Sequence, residues 1–291
     1  MDPLTTTDGL HLHLRLWPAQ AAARGVVQIV HGLGEHLGRY AHVAAALNAQ
    51  GWHVAGHDLR GHGRSTGQRG GLADSHAFLA DVAAVQDRIR EQLPTGPLVL
   101  LGHSLGGLIA ARFAAETLAP LPAPWSRPLS GLVLSSPALD PGMTGAQQFL
   151  LAVLGPLAPR LALGNGLKPD WICRDPLVVK AYVDDPLVHD RVTPRLVRFI
   201  VDAGVRVQSR AARWRLPTLL MWAGADRCVA PAGSAVFAST APAAVLESKV
   251  YPGLSHEIFN EPEQAEVLGQ LTQWLGRLPL VAPWPHPEDS T

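Results

Sequence analysis

The order of apolar and polar positions along the chain predicts a mostly parallel sheet flanked by helices. Leucine alternates with polar residues over positions 10–16, which predicts a half-exposed antiparallel strand near a sheet edge. Later runs are short and almost wholly apolar, as in strands of a parallel sheet that are buried on both faces. These runs cover residues 26–30, 52–55, 98–101, 132–134 and 219–222, and a further strand is predicted over 245–251.

Segments of helical length and spacing lie between the predicted strands. They cover residues 40–50, 77–92, 105–118 and 261–275. A chain in which strands and helices alternate in this order belongs to the α/β class with a parallel sheet.

The alternation breaks between residues 139 and 215, where prolines are frequent and no clear strand is present. Helix-like pieces at 176–182 and 194–207 predict a mainly helical cap that is inserted into the sheet domain. The last residues carry four prolines and no periodicity, which is typical of a loosely ordered tail. The predicted units are therefore a core of residues 1–138 and 216–278, a cap of residues 139–215 and a tail of residues 279–291.

Composition narrows the class of protein. With 291 residues, 47% of them hydrophobic, the chain can bury one large core and a small attached unit. Basic and acidic residues number 24 each, so the formal net charge is zero and no nucleic-acid partner is predicted. Cys173 and Cys228 lack the spacing of a zinc or redox motif, so we expect two unlinked thiols. Neither a signal-like segment nor an apolar run of roughly 20 residues is present, and we expect a cytoplasmic protein.

A candidate nucleophile lies at the junction of a predicted strand and a predicted helix. Residues 102–106 read Gly-His-Ser-Leu-Gly, after the apolar run 98–101 and before a helix-forming stretch. In this context a G-x-S-x-G pattern holds the serine on a tight turn, because the glycines let strand and helix approach closely. Ser104 is therefore the predicted nucleophile of an α/β-hydrolase fold.

The partners of such a serine are a histidine base and a carboxylate that orients the base. In this fold the acid and then the histidine follow the serine in the chain, each on a loop after a core strand. Asp226 and His256 occupy such loops, whereas the rivals Asp202 and His189 fall in the predicted cap. A turn-forming aspartate and a solvated loop histidine stay as the alternatives for these two positions.

Acyl transfer also needs hydrogen-bond donors for the oxyanion. The backbone amide of Leu105, directly after the nucleophile, is one predicted donor. The amide of Leu33, in the glycine-rich loop after the run 26–30, is the other.

Three motifs together indicate a family. They are His-Gly-Leu-Gly-Glu-His-Leu-Gly-Arg-Tyr at 31–40, His-Asp-Leu-Arg-Gly-His-Gly-Arg-Ser at 57–65 and Gly-His-Ser-Leu-Gly-Gly at 102–107, followed by Asp226 and His256. With these motifs nearly the whole core resembles the monoacylglycerol lipases and the lysophospholipase-like or serine aminopeptidase-like bacterial hydrolases grouped with them. The resemblance implies hydrolysis, without a cofactor, of esters that have a long acyl chain and a small alcohol leaving group.

The resemblance also implies roles for residues beside the triad. Glu35 and Arg39 would line or support the polar end of the site, although they could equally tie down the oxyanion loop by hydrogen bonds and ion pairing. Mammalian lipases of this group carry a second histidine three residues after the first, and this chain has Phe259 there. Phe259 is therefore a candidate substrate contact, and a preference for glycerides is left open.

Two further signals bear on ligands and partners. His31, His36, His57 and His62 could suggest a metal cluster, but each lies within a motif that the hydrolase hypothesis explains, so no metal is predicted. The apolar cap residues at 149–154 could contact an acyl chain or transiently meet a membrane surface, or they could pack the cap onto the core. The predicted ligand is a small-molecule or lipid ester, and no protein partner is predicted.

The predicted function is a serine carboxylic-ester hydrolase that acts on monoacylglycerol-like or lysophospholipid-like esters through an acyl-enzyme. A general carboxylesterase, a thioesterase or an aminopeptidase-like amidase is the alternative, because a triad does not select the leaving group. A non-catalytic binding protein of the same fold is disfavoured, since the chain keeps all three triad residues and the glycines around Ser104.

Overall fold

The structure is a computed structural model that describes residues 1–20, 22–94 and 96–279. Residues 280–291, which make up nearly all of the predicted tail, lie outside the described residues. The strands are β1 (Leu4–Thr5), β2 (His11–Leu12), β3 (Leu14–Trp17), β4 (Gly25–Val30), β5 (Trp52–His57), β6 (Leu98–His103), β7 (Gly131–Ser135), β8 (Leu163–Gly164), β9 (Arg191–Val192), β10 (Thr218–Ala223) and β11 (Leu246–Tyr251). The α-helices are α1 (Ala41–Ala49), α2 (Ala77–Gln92), α3 (Leu105–Glu116), α4 (Gly145–Leu157), α5 (Pro176–Asp184), α6 (Pro194–Arg210), α7 (Pro231–Thr240) and α8 (Gln264–Arg277).

A seven-stranded sheet forms the centre of the described part of the chain. Its strands lie in the order β11-β10-β7-β6-β4-β5-β3. All neighbours from β11 to β5 are parallel, and β3 at the edge is antiparallel to β5. The predicted mostly parallel sheet, with an antiparallel strand at one edge, is confirmed.

The alternating segment at 10–16 forms two strands rather than one. β2 pairs with β1 outside the main sheet, whereas β3 pairs with the sheet edge. Between them, the His13 amide donates to the Ser65 hydroxyl oxygen and the His13 carbonyl accepts from the Asp58 amide. These contacts with a loop remove His13 from the ladder, so the strand is interrupted there.

Both faces of the sheet are covered, which explains why its strands are almost wholly apolar. Alternate residues of β4 and β6 point to opposite faces because side chains alternate along a strand. On one face Val27 and Val99 pack with α1 and α8, and on the other Val30 and Leu100 pack with α2 and α3.

The segment between β7 and β10 contains α4, α5, α6 and the short antiparallel pair β8–β9. The helices predicted at 176–182 and 194–207 are present as α5 and α6. Helix α4 was not predicted. Thr144 and Gln147 form a capping box at its start, and this Thr-x-x-Gln pattern could have been recognised in the sequence. Division of the chain at 138/139 and 215/216 into core and cap stays a prediction.

No helix in the described ranges combines the length and the apolar character that a bilayer crossing needs.

Helix α3 lies very close to strand β4. A Cβ atom placed on Gly106 would lie 2.0 Å from the Val30 carbonyl oxygen and 2.4 Å from that of His31. Both obstacles are backbone atoms of the sheet and its following loop, so they cannot move without displacing β4. Glycine is therefore the residue that this contact requires.

We expect Gly106→Ala to lower the free energy of unfolding by about 3 kcal/mol or more, since overpacking is destabilising and this site has no room to relax. Urea unfolding followed by circular dichroism measures the change. Gly269→Ala in α8 is the matched control, because a Cβ there meets nothing within 4 Å, and it should stabilise the protein by about 0.4–1 kcal/mol. Equal stability of the two variants would show that the α3–β4 contact is not as tight as described.

Candidate active site

Ser104 lies on a sharp turn between β6 and α3. Its backbone has φ 55° and ψ −120°, a region that non-glycine residues rarely adopt. The Ser104 amide donates to the Ser135 carbonyl oxygen at 3.0 Å, which ties the turn to the neighbouring strand β7. A Cβ on Gly102 would lie 2.3 Å from the Gly106 carbonyl oxygen, so a glycine is needed before the turn as well as after it.

The three residues predicted to form a triad are brought together. The Ser104 hydroxyl lies 2.8 Å from His256 Nε2, and His256 Nδ1 lies 2.7 Å from Asp226 Oδ2. The second carboxylate oxygen of Asp226 accepts from the amides of Cys228 and Val229, which holds the carboxylate in place. With Nδ1 donating to Asp226, Nε2 is free to accept the serine proton. The geometry is the one that general-base activation of a serine requires.

Asp226 and His256 stabilise each other's charged form. Burial alone lowers the pKa of His256, but the adjacent Asp226 carboxylate outweighs it and the pKa is raised. Burial likewise raises the pKa of Asp226, but the charge and hydrogen bond of His256 lower it overall. The imidazolium that forms when the histidine takes a proton is therefore stabilised at this position.

The loop after β4 runs close to Ser104. A Cβ on Gly32 would lie 3.2 Å from the Ser104 Cβ, so the backbone of this loop faces the serine directly. Leu33, the next residue, borders the cavities around Ser104. Leu105 is the first residue of α3, where backbone amides lack partners within the helix. The two candidate oxyanion donors thus lie on segments that flank the serine.

A buried ionic network holds this loop. Glu35 is 3% exposed, and its Oε1 accepts from the Gly32 amide at 2.6 Å and from the Tyr40 hydroxyl at 2.7 Å. Arg39 donates to Glu35 at 2.6 Å and makes a bidentate contact with Glu257. Burial raises the pKa of Glu35, but the Arg39 guanidinium more than compensates and lowers it to about 2. Glu35 therefore stays ionised and fixes the loop.

The loop that carries His256 is tied to the segment between β7 and β10. The Glu257 amide donates to the Ile172 carbonyl oxygen at 2.8 Å. Glu261, which is fully buried, accepts from the amides of Arg174 and Ser255. The position of His256 consequently depends on contacts with residues distant in sequence.

Two cavities meet at Ser104, and Leu33 and Cys228 border both. The first, of about 310 Å³, is called here the charged cavity, and its ionisable lining includes Glu35, Lys168, Asp185, His189 and Glu257. The second, of about 560 Å³, is called the leucine-rich cavity, and its lining includes Leu105, Leu150, Leu151, Leu154, Val197 and Ile200. Space for a polar group and space for an apolar chain therefore lie on either side of the serine.

The structure does not bring every predicted residue to these cavities. Phe259 is 3% exposed and packs in the core with α1 and α8, so it is positioned away from the serine. Arg39 lies behind Glu35 and Glu257, with its guanidinium 4.8 Å from the centre of the Tyr182 ring. For Glu35 and Arg39 the interpretation as loop anchors fits the contacts.

The four histidines considered for a metal cluster do not form one among the described residues. His31 Nε2 accepts from the Leu59 amide at 2.8 Å, while His57 and His62 are fully buried. Burial lowers the pKa of His57 to about 3, so this histidine is neutral and packs in the interior.

Several residues near the site were not singled out from the sequence. The His103 ring contacts the His256 ring, with 4.8 Å between the ring centres and the planes tilted by 53°. Burial lowers the pKa of His103 to about 4. Its position directly before Ser104 in the G-x-S-x-G pattern was a signal that could have identified it. Glu257 and Tyr182 contact Arg39 from distant parts of the chain. Spacing along the sequence does not predict those contacts.

Fold and site together define a serine hydrolase of the α/β-hydrolase fold. The family model of the serine aminopeptidase S33 hydrolases matches residues 21–263. A monoacylglycerol lipase of Mycolicibacterium smegmatis is 38% identical over 271 residues, which are 92% of this chain and 93% of that protein. Phospholipase YtpA of Bacillus subtilis is 32% identical over 83% of this chain and 91% of its own length.

A solved structure agrees with these relatives. The crystal structure of Paleococcus ferrophilus monoacylglycerol lipase has a TM-score of 0.78 and 35% identity, over 91% of this chain and 98% of that one. The chain belongs to the serine aminopeptidase S33 family of hydrolases, and it is a serine ester hydrolase related to monoacylglycerol lipases.

We expect Glu35→Ala to lower kcat for ester hydrolysis by about 100-fold with little change in KM. The loop that carries the Leu33 amide would lose its anchor, and oxyanion donors act mainly in the transition state. Glu35→Gln should retain more activity, because its amide oxygen can still accept from the Gly32 amide. Steady-state kinetics on a p-nitrophenyl ester measure both.

Glu91→Ala serves as the control for loss of a glutamate, since Glu91 is exposed and pairs with Arg88 on the surface of α2. This variant should be as active as the unmodified protein. Equal activity of Glu35→Ala, Glu35→Gln and the control would contradict a positioning role for Glu35.

Proposed function

We propose that this protein hydrolyses monoacylglycerol-like esters with Ser104 as nucleophile, His256 as general base and Asp226 as the residue that orients His256. The observation that carries the proposal is the continuous chain of hydrogen bonds from the Ser104 hydroxyl through His256 to Asp226, at 2.8 and 2.7 Å. This chain ends at the point where the two cavities meet.

The reaction proceeds in two halves. His256 Nε2 removes the hydroxyl proton as Ser104 Oγ attacks the ester carbonyl carbon, and the amides of Leu33 and Leu105 hold the resulting oxyanion. The tetrahedral intermediate collapses, His256 gives its proton to the alcohol oxygen, and an acyl-enzyme remains on Ser104. Water, deprotonated by His256, then attacks the acyl carbon and releases the fatty acid. No cofactor takes part in these steps.

The linings of the two cavities fit an ester that has an apolar acyl chain and a polar alcohol. The leucine-rich cavity receives the acyl chain, because its lining from α4 and α6 is mainly aliphatic. The charged cavity receives the alcohol. Four carboxylates line it, those of Glu35, Asp185, Asp190 and Glu257, and they outnumber the one lysine in the lining, Lys168. An excess of carboxylates favours a neutral alcohol such as glycerol over an anionic phosphate group.

A lysophospholipid-like ester is the second candidate substrate, and the relative named phospholipase YtpA supports it. A carboxylesterase, thioesterase or amidase activity would use the same three residues, since they act on the acyl group in the same way. A purely binding role is disfavoured, because a strained serine held at hydrogen-bond distance from a base serves no need of a binding protein.

Helix α4 supports contact with a lipid surface. Leu150, Leu151 and Leu154 border the leucine-rich cavity, while Phe149 and Leu157 on the same helix are 72% and 76% exposed. One face of α4 is thus available to an acyl chain, and another face of the same helix is available to a lipid surface. We propose that the exposed face meets the aggregate from which the ester is drawn. A cytoplasmic location stays a prediction.

The test of this function is hydrolysis of 1-monoacylglycerols of graded chain length, compared with lysophosphatidylcholine, p-nitrophenyl esters, acyl thioesters and aminoacyl anilides. We expect the highest kcat/KM on medium or long monoacylglycerols, and Ser104→Ala should lower it by at least about 1000-fold. Ser255→Ala, one residue from His256, controls for loss of a serine hydroxyl.

Activity of Ser104→Ala close to that of the unmodified protein would refute the assignment of the nucleophile. Turnover confined to short esters, or higher on anilides than on esters, would refute the lipase assignment while keeping the triad.

The pH profile provides an independent test of His256 as the base. His256 accepts a proton only when it is neutral, and the pKa of this group is raised by Asp226. We therefore expect kcat/KM to fall about tenfold per pH unit below a midpoint that lies above the ordinary histidine value of about 6.5. Circular dichroism at each pH shows that the protein stays folded. A flat profile, or a midpoint below about 6.5 in folded protein, would exclude His256 as the base in this environment.

A further inference from the structure

Cys228 has no part in the proposed reaction, yet its thiol lies beside the triad. One ligand atom from each of Asp226, Cys228 and His256 lies within 4.8 Å of the other two. It is the one such group of potential metal ligands among the residues that the structure describes. Cys228 also borders both cavities, so a small ion can reach the group from solvent.

The donor set has a distinct chemistry. A thiolate, an imidazole nitrogen and a carboxylate oxygen are the ligands that zinc and similar thiophilic cations accept, with bonds of about 2.0–2.3 Å. Ligand atoms around a tetrahedral zinc ion are separated by about 3.5 Å. His256 Nδ1 and Asp226 Oδ2, which are 2.7 Å apart, must therefore separate slightly, while the Cys228 sulfur, within 4.8 Å of both ligand atoms, approaches them. The cavity side of the group leaves the fourth position open to water, as in zinc sites with three protein ligands.

We propose that Asp226, Cys228 and His256 form an inhibitory binding site for a thiophilic divalent cation of the zinc class. The bound ion lies between Asp226, Cys228 and the Nδ1 side of His256, once the hydrogen bond between Asp226 and His256 has opened. It thereby replaces the hydrogen bond that holds the histidine in its active form.

Proton balance explains the inhibition. His256 Nδ1 donates to Asp226 in the resting structure, so the Nδ1 proton must leave before a metal can bind that nitrogen. It moves to Nε2, where it occupies the lone pair that would accept the Ser104 proton. The Cys228 thiol loses its proton to solvent when the sulfur–metal bond forms. One proton is released for each ion bound, no electron is transferred, and the base can no longer act.

Loss of the Cys228 proton is part of metal binding, so a high proton concentration opposes binding and the inhibition should strengthen as the pH rises. Mg²⁺ and Ca²⁺ prefer oxygen ligands and should not bind here.

Cys173 is a matched internal control. It is also a free thiol, but it is 2% exposed, and its sulfur contacts the Asn260 carbonyl oxygen at 3.2 Å. It belongs to no group of metal ligands among the described residues. A general effect of metal on thiols would involve both cysteines, whereas the proposed site involves one.

The inhibition experiment is a Zn²⁺ titration of p-nitrophenyl ester hydrolysis in a non-chelating buffer. Each variant is compared with its own rate in the absence of metal. We expect the unmodified protein and Cys173→Ala to share one inhibition midpoint, and Cys228→Ala to need at least about tenfold more Zn²⁺, since metal sites lose affinity when a thiolate ligand is removed. Mg²⁺ at the same concentrations should not inhibit. An unchanged midpoint in Cys228→Ala would overturn the proposal.

This inhibition rests on the proposed function, so metal binding is also measured without catalysis. In Ser104→Ala all three ligands remain, and addition of Cd²⁺ should produce the ultraviolet absorption of a cadmium–thiolate bond and protect Cys228 from iodoacetamide. Addition of Cys228→Ala or His256→Ala to that background should abolish the band. Absence of both band and protection in Ser104→Ala would overturn the site, whereas a band in a protein that hydrolyses no ester would leave the site standing and refute the function.

Discussion

The contact on which the site depends is the approach of helix α3 to strands β4 and β6. Gly102 and Gly106 allow backbones to meet at distances that a side chain would prevent, since added Cβ atoms would lie 2.3 and 2.0 Å from carbonyl oxygens. The strand therefore turns into the helix within one residue, and Ser104 takes a positive φ of 55°. The serine is held above the sheet edge by packing of the whole core, because local preference alone would not place a serine in that conformation.

A second constraint is electrostatic. Glu35, Arg39 and Glu257 are three charges in a largely buried position, and such groups are stable there only when they are paired and hydrogen-bonded. Their pairing links the loop after β4 to the loop that carries His256. One interaction thus fixes the segment with a candidate oxyanion donor relative to the segment with the base. A buried ion pair adds little net stability. Here its contacts set the position of the loop after β4 relative to the loop that carries His256.

The segment between β7 and β10 completes the site from outside the sheet. Helix α6 packs its buried residues on the core, with Phe199 in edge contact with Phe78 at 5.7 Å between ring centres. Other parts of the segment contribute Tyr182, Asp185 and His189 to the charged cavity, and α4 contributes leucines to the second cavity. Substrate selection therefore depends on this segment, whereas the acyl-transfer chemistry depends on the sheet and its loops.

The sequence by itself determined the parallel sheet, the tight turn at Ser104 and the identity of the three residues that meet there. Periodicity and glycine placement are local properties, and chain order is enough to assign loops to one edge of a parallel sheet. Tertiary structure alone decided that Glu257 meets Arg39, that Phe259 packs in the core, and that Cys228 lies within 4.8 Å of its two potential co-ligands. It also decided the shape of both cavities. The residues that line them come from separate segments, and packing sets the distances between those segments, so spacing along the sequence does not reveal them.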